Sequence, residues 1–408
     1  MKILMEKEIR KYLLLILLTG IILQGRSQGK VTIQSDATGT GSLIVGPQSS
    51  NLNVEVNGFI SSANWHIISP SVSSQQLGTF VTNNGIVNNS TFGDYDLSPL
   101  DETTNKWEPF TQSSNTNPMV AGKGYTIRKT ASGNVSFSGT INTGTILVPI
   151  TKNNLAWNAL GNPYTSAIKI KGDDGFLTKN KSSMDPSFSG VYIWDHTQGH
   201  YVVITQAGYA FPAPGGETEL NQDNIAVGQG FVVKALATGT VTFDSLMQEH
   251  ASVDGTSSFT ASNSWPAIRI TVTDDKNKSS TVVTFNNEMK KDLDPAFDAG
   301  MYKMNEGIDL YTHLLDDNGV DFAVQCLPLN DYETFRIPLG LDYPVGGLVQ
   351  FTAETVDLPE GMEFYIEDKT TGALSRIDSD KTGYSVTLPS QFKGTGRFYL
   401  LARQKGFR

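Results

Sequence analysis

Two histidines stand four residues apart in Asp195-His196-Thr197-Gln198-Gly199-His200. On a helix that spacing brings both imidazoles to one face, where they could hold a transition metal. The flanking runs Val191 to Trp194 and Tyr201 to Ile204 are β-rich, however, and no glutamate holds the place that zinc-hydrolase chemistry requires. His196 and His200 are therefore expected to face solvent from a hairpin loop.

The stretch Lys291-Asp292-Leu293-Asp294-Pro295-Ala296-Phe297-Asp298 gathers three carboxylates in a short loop. Hard oxygen ligands so spaced could bind a structural calcium, with Asp292, Asp294 and Asp298 as its ligands. The EF-hand order is missing, which favours the competing role of helix and turn capping. Calcium is the one cofactor the sequence suggests.

Trp107, Trp194, Tyr201 and Tyr209 lie in turn-flanked segments, where aromatic faces could stack on sugar rings while Asn and Asp take hydroxyls. Core packing is the competing reading for each, because a β-sandwich core needs aromatics at similar spacing. The sole cysteine, Cys326, sits in the alternating run Phe322 to Pro328 and reads as a buried strand residue. With one cysteine, no disulfide forms within the chain. No Gly-x-Ser-x-Gly elbow, zinc-hydrolase helix or Walker loop occurs, and the acids are dispersed, so the expectation is a protein that is not an enzyme.

The elements that must position these residues are strands. Short runs rich in Val, Ile, Phe, Tyr and Thr recur between Gly, Asn, Ser and Thr turn signals, and no apolar stripe of helical period lasts three turns. The fold class expected is all-β: duplicated β-sandwich or β-hairpin units, then a C-terminal antiparallel β-sandwich. Duplication is visible where Ala121 to Phe137 is set against Val227 to Phe243, a constant offset of 106 residues with six identities in 17 positions. Each copy opens on a Trp, Trp65 or Trp157, followed by an apolar strand and a Pro turn. Gly122-x-Gly124 and Gly228-x-Gly230 precede strands rather than helices, so they read as tight turns, not phosphate loops. A hairpin is expected to follow each, turning at Gly133 and Gly239.

Lys2, Lys7, Arg10 and Lys11 precede the apolar run Tyr12 to Leu23, a signal-peptide pattern with cleavage after Ser27. Removing residues 1–27 leaves 26 basic and 39 acidic residues, so the net charge moves from −10 to −13. An acidic surface disfavours nucleic acid as a partner, and no later apolar run is long enough for a membrane span. The expected organisation is signal peptide 1–27, first repeat 28–150, second repeat 151–252, linker 253–261 and sandwich 262–408. Seven strands are expected in the sandwich, from Ala267 to Thr273 through Arg397 to Leu401.

Trp157-Asn-Ala-Leu-Gly-Asn-Pro-Tyr-Thr-Ser-Ala-Ile168, Val191-Tyr-Ile-Trp-Asp195, Ile225-Ala-Val-Gly-Gln-Gly-Phe-Val-Val-Lys-Ala235 and Tyr365-Ile-Glu-Asp-Lys-Thr-Thr-Gly372 together resemble the secreted cell-surface proteins of Bacteroidota, many of them exported by type IX secretion. The resemblance covers residues 60–400 and implies a non-catalytic module that is extracellular or surface-bound, with the periplasm as an alternative. Such proteins usually finish on a C-terminal sorting domain, whereas this sequence stops at Arg408, directly after the sandwich. Asp244-Ser245-Leu246 is similar to a bacterial O-glycan acceptor, with Ser245 as the acceptor and an ordinary turn as the competing reading. The function expected is a structural or adhesive β-protein binding glycans or surface proteins through loops. The alternative is an accessory or catalytic component of polysaccharide breakdown.

Overall fold

The computed structural model describes residues 30–36, 39–89, 93–196, 199–207, 223–250, 265–303, 307–378 and 383–405. The expected signal peptide, the linker 253–261 and Tyr209 lie outside the described residues. The regular elements of the described chain are nearly all strands, and no helix among them is long and apolar enough to cross a membrane.

The first repeat contains β1 (Asn53–Ile60), β2 (His66–Ile68), α1 (Leu77–Asn84), β3 (Leu97–Asp101), β4 (Lys106–Trp107), β5 (Tyr125–Ile127) and β6 (Gly133–Ile141). The second begins at Ile146 rather than at the expected 151, because its first strand pairs with its last, and contains β7 (Ile146–Ile150), β8 (Trp157–Gly161), α2 (Phe176–Asn180), β9 (Val191–Asp195), β10 (His200–Ile204), β11 (Gly230–Lys234) and β12 (Gly239–Phe243). One pairing diagram serves both. In the first, β5 lies between β2 and β3, β4 flanks β3, and β6 pairs with β1. In the second, β11 lies between β8 and β9, β10 flanks β9, and β12 pairs with β7.

The expected hairpins are not formed. β5 and β6 belong to different sheets, as do β11 and β12, so Gly133 and Gly239 mark a crossover from one sheet to the other. The alternation explains it: Val135 and Phe137, like Val241 and Phe243, point into a core that only a second sheet can close. Each repeat encloses its own core, one around Phe80, Phe137 and Ile127, the other around Phe176, Phe231 and Phe243.

The two helices are short but are clamped identically. Asn84 Nδ2 donates to the carbonyls of Phe80 and Ser136, while Asn84 Oδ1 accepts from the Ser136 amide at 2.7 Å. Asn180 Nδ2 donates to Phe176 and Thr242, and its Oδ1 accepts from the Thr242 amide at 2.7 Å. A buried side-chain amide thus completes the exposed edge of β6 or β12, whose backbone groups would otherwise lack partners.

The Gly-x-Gly motifs join the repeats to one another. Gly122 and Gly228 have φ of 81° and 75°, a conformation that favours glycine. A Cβ on Gly124 would sit 2.6 Å from the Leu160 carbonyl oxygen, and one on Gly230 would sit 2.9 Å from that of Ile68. These approaches let Gly161 N–H donate to Gly122 O at 3.0 Å and Ser69 N–H donate to Gly228 O at 2.9 Å. The bridge of Lys123 to Leu160 is matched by that of Gln229 to Ile68. Each repeat therefore offers its Gly-x-Gly to the first strand of the other, a two-fold-like seam.

The C-terminal part holds β13 (Ala267–Thr273), β14 (Lys278–Phe285), β15 (Ala299–Gly300), β16 (Asp309–Thr312), β17 (Phe322–Leu327), β18 (Arg336–Asp342), β19 (Gly347–Val356), β20 (Met362–Asp368), β21 (Ala373–Arg376), β22 (Tyr384–Leu388) and β23 (Phe398–Gln404). They form one eleven-stranded sheet in the order β21-β20-β23-β18-β16-β17-β14-β13-β19-β22, with β15 on β17. The seven expected strands are all present. The sheet is antiparallel except between β14 and β17. It curls until its two flanks share one core, bringing Phe351 and Phe398 rings to 5.0 Å. The flanks are tied by Asp368, which accepts from Arg397 and from Tyr384 Oη at 2.6 Å.

A fourth apolar cluster unites all three parts, with Ile67 from the first repeat, Trp157, Tyr192 and Val232 from the second, and Val282, Val324 and Cys326 from the large sheet. Tyr192 Oη donates to the Gly300 carbonyl at 2.6 Å across this contact. Cys326 is buried there, and burial with Asp298 beside it pushes its thiol well up, which keeps it an unreactive packing residue.

Candidate functional site

An open cleft of about 410 Å³ lies where the start of the first repeat meets the β9–β10 turn of the second. Its walls include Trp65, Asn64, Arg128, Trp194 and His196. Trp65 precedes β2 and is 36% exposed, an unusual degree for so large an apolar ring. The turn is held against it by two hydrogen bonds: Trp194 Nε1–H donates to the Trp65 carbonyl at 2.9 Å, and Asn64 Nδ2 donates to the His196 carbonyl at 3.0 Å. The Arg128 guanidinium, at the end of β5, lies 4.9 Å from the Trp65 ring centre and pairs with Asp96 at 3.1 Å.

Beside this cleft His66 and His196 pack with ring centres 4.4 Å apart. His196 Nε2 shares a hydrogen bond with Ser61 Oγ at 2.8 Å and His66 Nε2 one with Ser62 Oγ at 3.2 Å. Burial, and then the neighbouring His196, push His66 down to about 4, and burial also lowers His196. Both rings are neutral at pH 7. With Arg128 matched by Asp96, the lining of this cleft has aromatic faces and hydrogen-bonding groups but little net charge.

A second cleft of about 360 Å³ lies where both repeats meet the large sheet. Trp157, Phe188 and Tyr302 supply its rings, and Asn105, Lys234, Lys303 and Asp321 its polar groups. Lys234 Nζ lies 3.7 Å from the Phe188 ring centre and 5.7 Å from that of Trp157. Lys303 is held between Asp321 at 2.6 Å and Asp342 at 2.7 Å, and Asp321 also contacts His313 at 2.7 Å. Burial pushes the nearby Asp309 up to about 6.

A chain of rings links the two clefts: Trp194 to Tyr201 at 5.1 Å, Tyr201 to Tyr302 at 4.4 Å, and Tyr302 to Trp157 at 4.5 Å. Trp107, Trp194 and Tyr201 are partly buried around this seam. Trp194 lines the open cleft, whereas Tyr201 packs against Tyr302 and is linked to Trp107 by a hydrogen bond. Burial raises the Tyr201 hydroxyl well above its ordinary range.

The structure keeps the expected calcium ligands near one another but gives two of them backbone partners. Asp292 is exposed while Asp294 and Asp298 are buried. Asp294 Oδ2 accepts from the Lys290 amide at 2.6 Å, and Asp298 accepts from the amides of Asp294 and Cys326 at 2.7 and 2.6 Å. Burial outweighs these hydrogen bonds and pushes Asp298 up to about 7. Among the described residues no three His, Cys, Asp or Glu side chains converge as a metal site. His200 begins β10 directly opposite Asp195, and His196 turns into the open cleft. Ser245 is exposed at the start of a short 3-10 turn, where Asp244 Oδ1 accepts from the Leu246 amide at 2.9 Å.

Trp65, Arg128, Trp157 and Lys234 are cleft residues that do not stand among the binding candidates expected from the sequence. The signal was present in the repeat: each copy opens on one of these tryptophans, and Arg128 and Lys234 are aligned positions.

Comparison with known proteins identifies the chain as a member of the family described as domain of unknown function (DUF8693), whose model matches residues 21–401. No curated protein and no solved structure matches it.

Proposed function

We propose that this is an exported, non-catalytic adhesive protein of the cell surface that binds neutral glycans in the open cleft. The observation that carries the proposal is Trp65, an exposed ring flanked by Arg128, Asn64 and Trp194 in a cleft whose charges are matched. Pyranose rings present C–H faces that pack on indole, and their hydroxyls take hydrogen bonds from amide and guanidinium groups. The signal-peptide pattern, the acidic surface and the resemblance to secreted Bacteroidota surface proteins support the location.

The test is a glycan array on the chain from residue 28, followed by calorimetry and a reducing-sugar assay on the oligosaccharides that bind. Binding is expected without sugar release, weakened about tenfold or more by Trp65→Ala. Sugar release abolished by a single carboxylate substitution would instead assign the protein to polysaccharide breakdown. Binding that ignores Trp65→Ala would place the ligand elsewhere.

A further inference from the structure

We infer that the two clefts are twin copies of one site, and that the second, walled on one side by the large sheet, takes an anionic sugar such as a uronate. The register makes them twins. Tyr125 faces Ile68 as Phe231 faces Leu160, so Trp65 and Trp157, each just before or at the start of its strand, hold the same place. Arg128 and Lys234 then follow as the cations at the ends of β5 and β11, each lying over its own tryptophan. Trp107 faces Leu100 as Tyr201 faces Trp194, which makes Asn105 and Gly199 equivalent turn residues. Both have positive φ, 54° and 71°, and each lines the cleft of the opposite repeat. Glu102 and His196 are likewise equivalent, and each docks its turn on the start of the other repeat, Glu102 by accepting from the amides of Asn153, Asn154 and Ala156.

The twins differ in charge for a reason visible in the packing. Ser98 faces Thr126 and Tyr192 faces Val232, so the position of Asp96, the partner of Arg128, is occupied in the second repeat by Gly190. A Cβ on Gly190 would sit 2.5 Å from Val203 Cγ2 and 3.4 Å from Ala299 Cβ of the large sheet. The packing of β10 against this position therefore excludes the carboxylate, with Ala299 only at ordinary contact distance, and among the described residues Lys234 has no ion pair. Asp185 acts on Lys234 only at a distance, its Oδ1 accepting from the Ser187 amide at 3.0 Å, and Asp321 is taken by Lys303 and His313. Burial lowers the Lys234 ammonium, the state an incoming carboxylate would relieve. Trp157 is buried beneath the cleft, the partly exposed Phe188 and Tyr302 rings give it apolar walls, Asn105 offers a hydroxyl partner, and the volume of about 360 Å³ falls within the range of small-ligand sites.

This inference shares the premise of glycan binding with the proposal above but concerns different residues and a different sugar, so the two fail separately. Calorimetry on the full chain with trigalacturonate, against the neutral trisaccharide cellotriose, tests it. Trigalacturonate is expected to bind with an affinity that falls with added salt, drops tenfold or more in Lys234→Gln and Lys234→Met, stays within about threefold in Lys234→Arg, and is unchanged in Trp65→Ala. Thermal melting of each variant reports that it is folded. Absence of trigalacturonate binding at millimolar concentration overturns the inference, as does binding indifferent to both Lys234 variants or abolished by Trp65→Ala.

Discussion

In the first repeat Arg128 lies over Trp65 and is met by Asp96; in the second Lys234 lies over Trp157 and Gly190 stands where the aspartate would be. Trp65 is 36% exposed and Trp157 only 7%, although both precede or open the equivalent strand. The strands, clamps and seam are shared, so the contrast comes from what each repeat is packed against. Duplication supplies two copies of a geometry, and a neighbouring sheet that lines one of them buries its tryptophan. The adjoining strand β10 demands glycine at 190, so packing within the second repeat and charge of the cleft are set by one residue.

The seam between the repeats allows the severest test of this symmetry. Gly124→Ala and Gly230→Ala each place a methyl group against the partner's backbone, and each is expected to destabilise the fold by about 3 kcal/mol, read by chemical denaturation. If only one of the pair is damaging, the two halves of the seam are not equivalent. The asparagine clamps come next: Asn84→Ala and Asn180→Ala each leave buried backbone groups of Ser136 or Thr242 unpaired, for about 2 to 3 kcal/mol apiece in the same measurement.

A third prediction separates the repeats by pH. Asn158 holds in the second repeat the place of His66 in the first. His66 titrates near 4 when folded and near 6.5 when unfolded, so its unfolded form binds the extra proton between those values. Its contribution is complete above pH 6.5 and declines as pH falls toward 4, on the order of 2 kcal/mol after allowing for partial exposure. Transplanting the second repeat's residue, His66→Asn, should therefore narrow the stability gap between the variant and the parent as pH falls from 6.5 to 4. A gap constant across that window would remove His66 from the acid response. The smallest effect concerns the exposed Arg128–Asp96 pair: Asp96→Asn should lower melting stability by less than about 1 kcal/mol while leaving Arg128 as unpaired as Lys234, and it should raise affinity of the open cleft for trigalacturonate.

Much of the fold could be read from residue patterns, because a strand buried on one face must alternate and a turn with positive φ selects glycine. Val135 and Phe137 declared a buried strand, and Gly122 a left-handed turn. The hairpin expected at Gly133 failed for the same reason that pattern reading works: alternation tells which residues are buried, not which strand is the neighbour. β16 and β18 escaped notice because their pairing is completed by strands distant in the chain, such as β23 for β18, and β21 because its four residues are only partly buried in a hairpin with β20. Trp194, picked out as a binding aromatic, does line a cleft, while Tyr201, picked out on the same grounds, packs against Tyr302.

The sequence alone determined the β class, the duplication, the pairing of Trp65 with Trp157 and of Arg128 with Lys234 as repeat positions, and the burial of Cys326, since these follow from periodicity and self-similarity along one chain. Only the tertiary structure decided that each Gly-x-Gly reaches into the opposite repeat, that the large sheet walls one cleft and buries its tryptophan, and that Gly190 deprives Lys234 of the partner Arg128 keeps. Those outcomes depend on contacts between residues far apart in the chain, where excluded volume and desolvation act and local pattern carries no information.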